Sequence, residues 1–254
     1  MYKLFFVFMP MFIFAQVIRF SPLPVDTAEH LYKKYNPLLN YLNKQTGDTY
    51  KFVYSHSYTE LLNNFKNNKV DMIILGALPY LRLKQEFPQA KAIVTFLNKY
   101  KKPFYTCQII TNDKEIKTLK DITSNTRIFL TNKLSTCGYL MTQYMFKEAN
   151  TTLDDYYYQY VGSHVDVVFN VTLYNDSIGD VKSSIAKEYN KFVKVIDTSI
   201  KIPEFSLVVN QNKLSQKEIN KIQKALKKYP KVIITPKHFY DSIEKILQEI
   251  KVKE

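Results

Sequence analysis

Arginine is scarce in this chain: Arg19, Arg82 and Arg127 are the only three among 254 residues, although the formal charge is +13. Bidentate reading of bases and phosphates leans on arginine, and no basic block is interleaved with aromatics as single-strand binding requires. The lysine excess therefore reads as solvated helix faces whose field draws anions toward a cleft, and nucleic acid is not an expected partner. Histidine is sparse too. His30, His56, His164 and His238 show no metal-like spacing, so neither zinc nor a cofactor is expected. No apolar run reaches the ~20 residues that span a bilayer. The longest, Leu4 to Phe14, is broken by Pro10, follows Lys3 and precedes Ala15. That is the pattern of a secretory signal peptide over residues 1–15, which predicts an exported, soluble mature chain. An uncleaved anchor stays open, and no cysteine near residue 16 suggests a lipoprotein.

What is present is a large apolar complement, 46% hydrophobic with 20 Tyr and 17 Phe, enough for one or two domains. Strand-like and helix-like segments alternate. Val17 to Leu23 is a β run; Asp26 with Glu29 is a capping pattern before Leu31, Tyr35, Leu38, Leu39 and Leu42, and Pro37 is expected to kink or restart that helix. Tyr50 to Tyr54 and Asp71 to Leu75 are further strands. Ser57 with Glu60 opens a second helix, and Ala77 to Gln85 is a third. Strands follow at Ile93 to Phe96 and Phe104 to Thr111, and near Ile128, Tyr158, Ile178 and Val193. Ser206 to Asn210 and a helix capped by Ser215 and Glu218 come last. This order predicts α/β lobes with mostly parallel, doubly wound sheets and no flexible linker. Ligands of such sheets sit at strand carboxyl ends, here the loops at Gly76, Ser135 and Ser163.

The segment Asn132 to Tyr139 places Ser135 and Thr136 where the run Arg127 to Thr131 turns into a helix. Unpaired N–H groups and the macrodipole make a helix start an anion site. Ser135 as a plain N-cap is the simpler reading of that motif.

Six segments in order carry a resemblance. Val17 to Pro24, Tyr58, the run Lys69 to Tyr80, the turn Ser135-Thr136-Cys137-Gly138-Tyr139, Gly162-Ser163-His164 and Ile202-Pro203 resemble the phosphate/phosphite/phosphonate-binding subunits of ABC importers, across nearly all of the mature chain. The resemblance implies a two-lobed type II periplasmic-binding-protein fold with residues 16–105 in lobe 1, 106–203 in lobe 2 and 204–254 returning to lobe 1. It implies an interlobe oxyanion site formed by Tyr58, Ala77, Tyr80, Tyr105, Ser135, Thr136, Cys137 and His164, with a protonated His164 adding charge. Implied partners are a small oxyanion and either an importer permease or, in a sensor branch that binds arsenite through cysteine, a membrane histidine kinase. A periplasmic monomer is expected.

Cys107 and Cys137, the two cysteines, both fall beside that site. Three readings stand: a disulfide, a thiolate favoured by the helix start at Cys137, or small buried hydrophobes. A Cys137–His164–Asp166 nucleophile arrangement matches no nucleophile-elbow signature, so no enzyme is expected. An acid after Ile202-Pro203 holds a ligand amine in aminophosphonate binders; Glu204 follows here, with its register open.

Overall fold

The computed structural model describes residues 15–250. The signal segment expected over 1–15 lies, apart from Ala15, outside the described residues. The chain begins with β1 (Val17–Ser21), α1 (Ala28–Thr46), β2 (Thr49–Phe52), α2 (Tyr58–Lys66), β3 (Met72–Leu75), α3 (Ala77–Glu86) and β4 (Ala90–Phe96). It crosses through β5 (Phe104–Tyr105) into β6 (Cys107–Thr111), β7 (Arg127–Leu130), α4 (Thr142–Glu148), β8 (Tyr158–Tyr160), α5 (His164–Leu173), β9 (Ser177–Lys182), α6 (Ser183–Glu188) and β10 (Lys194–Thr198). It returns through β11 (Ile202–Pro203) to β12 (Ser206–Asn210), α7 (Gln216–Leu226), β13 (Val232–Ile234) and α8 (Asp241–Glu249).

Two sheets define two lobes. The first has the order β13-β4-β12-β3-β1-β2, the second β10-β6-β9-β7-β8, and β5 pairs with β11 as a two-stranded crossing between them. The expected α/β architecture is present, but both sheets are mixed. β1, β2 and β3 are parallel, as are β7, β8 and β9, whereas β12, β4 and β13 in one lobe and β6 and β10 in the other pair antiparallel. The strand that follows each crossing, β6 in one lobe and β12 in the other, runs opposite to the parallel set of its lobe.

Packing follows from strand periodicity. In the wholly buried β3, Met72 and Ile74 join Leu38, Leu39 and Leu42 of α1 and Ile219 and Ile222 of α7 on one face, while Ile73 and Leu75 join Leu61 and Phe65 of α2 on the other. The second lobe packs Val167, Val168 and Val171 of α5 on Ile110, Phe129 and Val181. Ile243 and Ile246 of α8 share one cluster with Leu78 of α3 and Leu140 and Met145.

Local chemistry departs from expectation in two places. Thr27, not Asp26, caps α1, accepting from the His30 N–H at 3.3 Å, while Asp26 accepts from the Thr27 N–H. Pro37 does not restart the helix, which runs through it unbroken. Its missing donor falls opposite Lys33 on the exposed side of the helix, where water can take the freed carbonyl.

Candidate ligand-binding site

The lobes meet where the start of α3 faces the turn after β7. β3 ends at Gly76, whose lack of a side chain leaves the first N–H groups of α3 without a local cap. A side chain there would be tight, since a Cβ on Gly76 would lie 3.3 Å from Phe205 Cε1 and 3.4 Å from Thr136 Oγ1. The other lobe supplies the cap: the Leu78 N–H donates to Thr136 Oγ1 at 3.0 Å. Thr136 opens a π-helical turn, Thr136–Met141, entered from the extended Ser135, whose hydroxyl accepts from the Gly138 N–H at 3.1 Å. The Thr136 side chain also lies close enough to the Tyr105 phenol to oppose the upward push that burial gives its pKa. A helix start, a threonine hydroxyl and a phenol thus converge on one point between the lobes. This donor set suits a small tetrahedral anion.

Ala77, Tyr105 and Thr136 are brought together, and Cys137 adjoins them. Tyr58, half-buried at the start of α2, lies near enough to raise the pKa of Tyr105, and burial pushes its own phenol up to about 12. Both phenols therefore remain protonated donors at neutral pH. Ser135 is occupied as an N-cap. Tyr80 is not part of the convergence: its ring packs on Tyr240 with centroids 4.7 Å apart, and its hydroxyl accepts from the Ala92 N–H at 3.5 Å.

His164, the first residue of α5, differs from expectation in charge. Burial, and secondarily the Lys182 ammonium, push its imidazole down to about 4. The ring is therefore neutral at pH 7, and Nδ1 lies 3.4 Å from the Lys182 N–H as its acceptor, which leaves the ring proton on Nε2. In the unfolded chain the ordinary value of 6.5 returns, so the unfolded state binds more protons between pH 6.5 and 4 and stability falls as pH drops through that window. His164→Gln should flatten acid unfolding there by roughly 1–3 kcal/mol, after discounting for partial exposure. An unfolding profile with the wild-type slope between those pH values would exclude a buried neutral imidazole.

Cys107 and Cys137 form a disulfide across a sequence separation of 30, both sulfurs buried. Of the three readings of the thiols the structure has the first, and neither sulfur is a free thiolate. Asp180 lies beside them, with its carboxylate and both sulfurs within 4.8 Å of one another. Complete burial pushes the Asp180 carboxyl well above the usual range. The Thr142 hydroxyl, 3.0 Å from both Asp180 Oδ2 and the Cys137 carbonyl oxygen, is the donor shared between them. Asp180 thereby braces the turn that carries Thr136.

Sequence reasoning gave Lys182 no role and left Glu204 without a register. Lys182, the last residue of β9, and Glu204, just after β11, form an ion pair at 2.6 Å on the hinge. Both line an interlobe cleft of about 1540 Å3 together with Tyr105, the one expected ligand residue on its wall. Glu204 is marked in the sequence by the preceding Ile202-Pro203; Lys182 carries no signal among so many lysines.

Comparison with known proteins bears on this arrangement. A family model described as "ABC transporter, phosphonate, periplasmic substrate-binding protein" matches residues 20–253. Among solved structures, a binding-protein component of an ABC phosphonate transporter from Pseudomonas aeruginosa superposes with a TM-score of 0.77 at 20% identity, covering 91% of this chain and 85% of that one. PhnD1 from Prochlorococcus marinus in complex with methylphosphonate gives 0.77 at 16% identity, covering 94% and 99%. A Xanthomonas citri protein bound to ATP gives 0.75 at 13% identity, covering 92% and 98%. At such identities the superpositions show the shared two-lobed fold, and the family match carries the relationship.

Proposed function

The chain belongs to the family of periplasmic substrate-binding proteins of phosphonate ABC transporters, solute-binding proteins rather than enzymes, and from that premise we propose that it captures a small phosphorus oxyanion between its lobes and delivers it to an importer permease. It does so as an exported, periplasmic monomer. The observation that carries this reading is the seating of Thr136 from one lobe on the α3 N-terminus of the other, with the Tyr105 phenol close by. An entering oxyanion takes the place of that hydroxyl as the acceptor for Leu78 N–H, and closure of the lobes about β5 and β11 surrounds it with uncharged donors. Tyr58 and the Nε2–H of a neutral His164 complete the set. A thiol-based arsenite sensor would need free thiolates, which the Cys107–Cys137 bond withholds.

Calorimetry with methylphosphonate, phosphite and phosphate tests the proposal. The wild-type chain should bind at least one of them, and Thr136→Ala should weaken that binding by about 1–3 kcal/mol, the worth of a hydrogen bond to a charged group. Equal affinities for variant and wild type would remove the Thr136 turn from the site. Failure of all three anions to bind the wild-type chain would remove the proposal itself.

A further inference from the structure

The Lys182 ammonium sits in a box on the hinge. Nζ lies 2.6 Å from Glu204 Oε2, 4.3 Å from the Tyr105 ring centroid and 5.0 Å from that of Phe205. The two rings are parallel within 7°, their centroids 6.4 Å apart. The lysine side chain is 17% exposed and the glutamate 5%. Aromatic faces and a desolvated carboxylate around one cation form the chemistry that recognises a primary ammonium. The box has spare capacity, because Glu204 Oε1 is buried without a hydrogen-bond partner. It is also accessible, since all four residues line the interlobe cleft. Glu204 is the one carboxylate on that wall, which it shares with lysines such as Lys34, Lys102 and Lys201. No other acid there could hold a ligand amine. The box adjoins Thr136, since Phe205 Cε1 and Thr136 Oγ1 lie 3.3 Å and 3.4 Å from the same point, the place a Cβ on Gly76 would take.

We infer that Lys182 determines specificity: its side chain fills an ammonium-recognition box with the chain's own amine, so the site admits phosphorus oxyanions with alkyl substituents or none and excludes those bearing a primary amine. This rests on the phosphorus-anion reading above. A role as a direct anion contact is the rival, and the Glu204 carboxylate at 2.6 Å opposes it by neutralising the charge.

The test compares ethylphosphonate with 2-aminoethylphosphonate on wild-type, Lys182→Ala and Lys182→Met chains, and separately follows thermal stability in ethylammonium chloride against sodium chloride at equal ionic strength. The wild-type chain should prefer ethylphosphonate by about tenfold or more. Lys182→Ala, which empties the box, should shift that preference toward the amine by about thirtyfold and gain stability from ethylammonium, which the wild type does not. Lys182→Met refills the box with a neutral chain and should keep the wild-type affinity for ethylphosphonate within about threefold. Equal loss of both phosphonates in the two variants would overturn the inference in favour of direct anion contact, and an unchanged preference in Lys182→Ala would overturn it outright. Should Lys182→Ala not fold, the ethylphosphonate affinity of Lys182→Met decides, retention supporting the box and loss rejecting it. If the wild type binds neither phosphonate, the proposed function fails, and the ethylammonium effect on Lys182→Ala still decides the box.

Discussion

Replacing Cys107 and Cys137 together by serine is expected to lower stability by about 3–4 kcal/mol, the entropy that a cross-link of this span removes from the unfolded chain. The bond ties β6, the first strand beyond the crossing, to the turn that carries Thr136, and its sequence separation is 30. For a chain of this size the melting temperature should fall by roughly 10 °C. Serine is nearly isosteric, so no cavity adds to the loss, and the adjacent Asp180 carboxyl offers the new hydroxyls a partner. Calorimetry of wild type with and without a dithiol reductant, beside the double variant, checks the figure: the reduced wild type and the variant should coincide. Phosphonate affinity should also fall in both, because the turn then loses its covalent tie to β6. Oxidised wild type should not bind arsenite at all. A double variant as stable as the oxidised wild type would show that the turn is fixed by its packing and that the bond restrains nothing.

The parts of this fold that were legible in the sequence are those where one segment carries its own signal. β3 is readable because four consecutive apolar residues end at a glycine, and α5 and α7 because Ser163 with Asp166 and Ser215 with Glu218 form complete capping boxes. Neighbouring candidates are harder to separate. Asp26 and Thr27 are both good caps, and only the extended backbone of Thr27 decides between them. Pro37 reads as a breaker, yet the cost of its missing donor is small on a hydrated helix face. The antiparallel partners in each sheet were not legible, because strand direction depends on the two crossings and not on the pattern within a strand.

The site divides in the same way. Ser135 and Thr136 stand out as hydroxyls at a helix start, but that Ser135 would turn inward as a cap while Thr136 reached Leu78 of the other lobe depends on the π-helical turn. Tyr80 belongs to the same motif as Ala77 and nevertheless packs on Tyr240, a partner far along the chain that no local pattern announces. The Lys182–Glu204 pair has no local signature, because the partners are 22 residues apart and meet only after the chain has crossed between lobes. His164 was identifiable as a residue, but its charge was not. Ionisation depends on burial and on Lys182, and both arise from folding.

Gly138→Ala is expected to cost about 2–4 kcal/mol of stability and to weaken phosphonate binding more than tenfold, through one methyl group. A Cβ on Gly138 would lie 2.0 Å from Thr131 Oγ1, 2.7 Å from the Thr131 N and 3.1 Å from its Cβ. The hydroxyl could rotate away, but the backbone nitrogen could not, so the turn itself has to shift. That shift carries Thr136 away from the Leu78 N–H and strips the α3 N-terminus of its cap, which is why binding suffers along with stability. The obstacle can be divided experimentally. Thr131 Oγ1 is buried without a hydrogen-bond partner, so Thr131→Ala alone should be near neutral or slightly stabilising. In the double variant the closest contact is gone and the one with the nitrogen remains, so a double-mutant cycle should show partial rescue. Thermal melts and phosphonate titrations on the two single variants and the double provide the cycle. Gly138→Ala with wild-type stability and wild-type affinity would mean that this turn does not hold Thr136 in place.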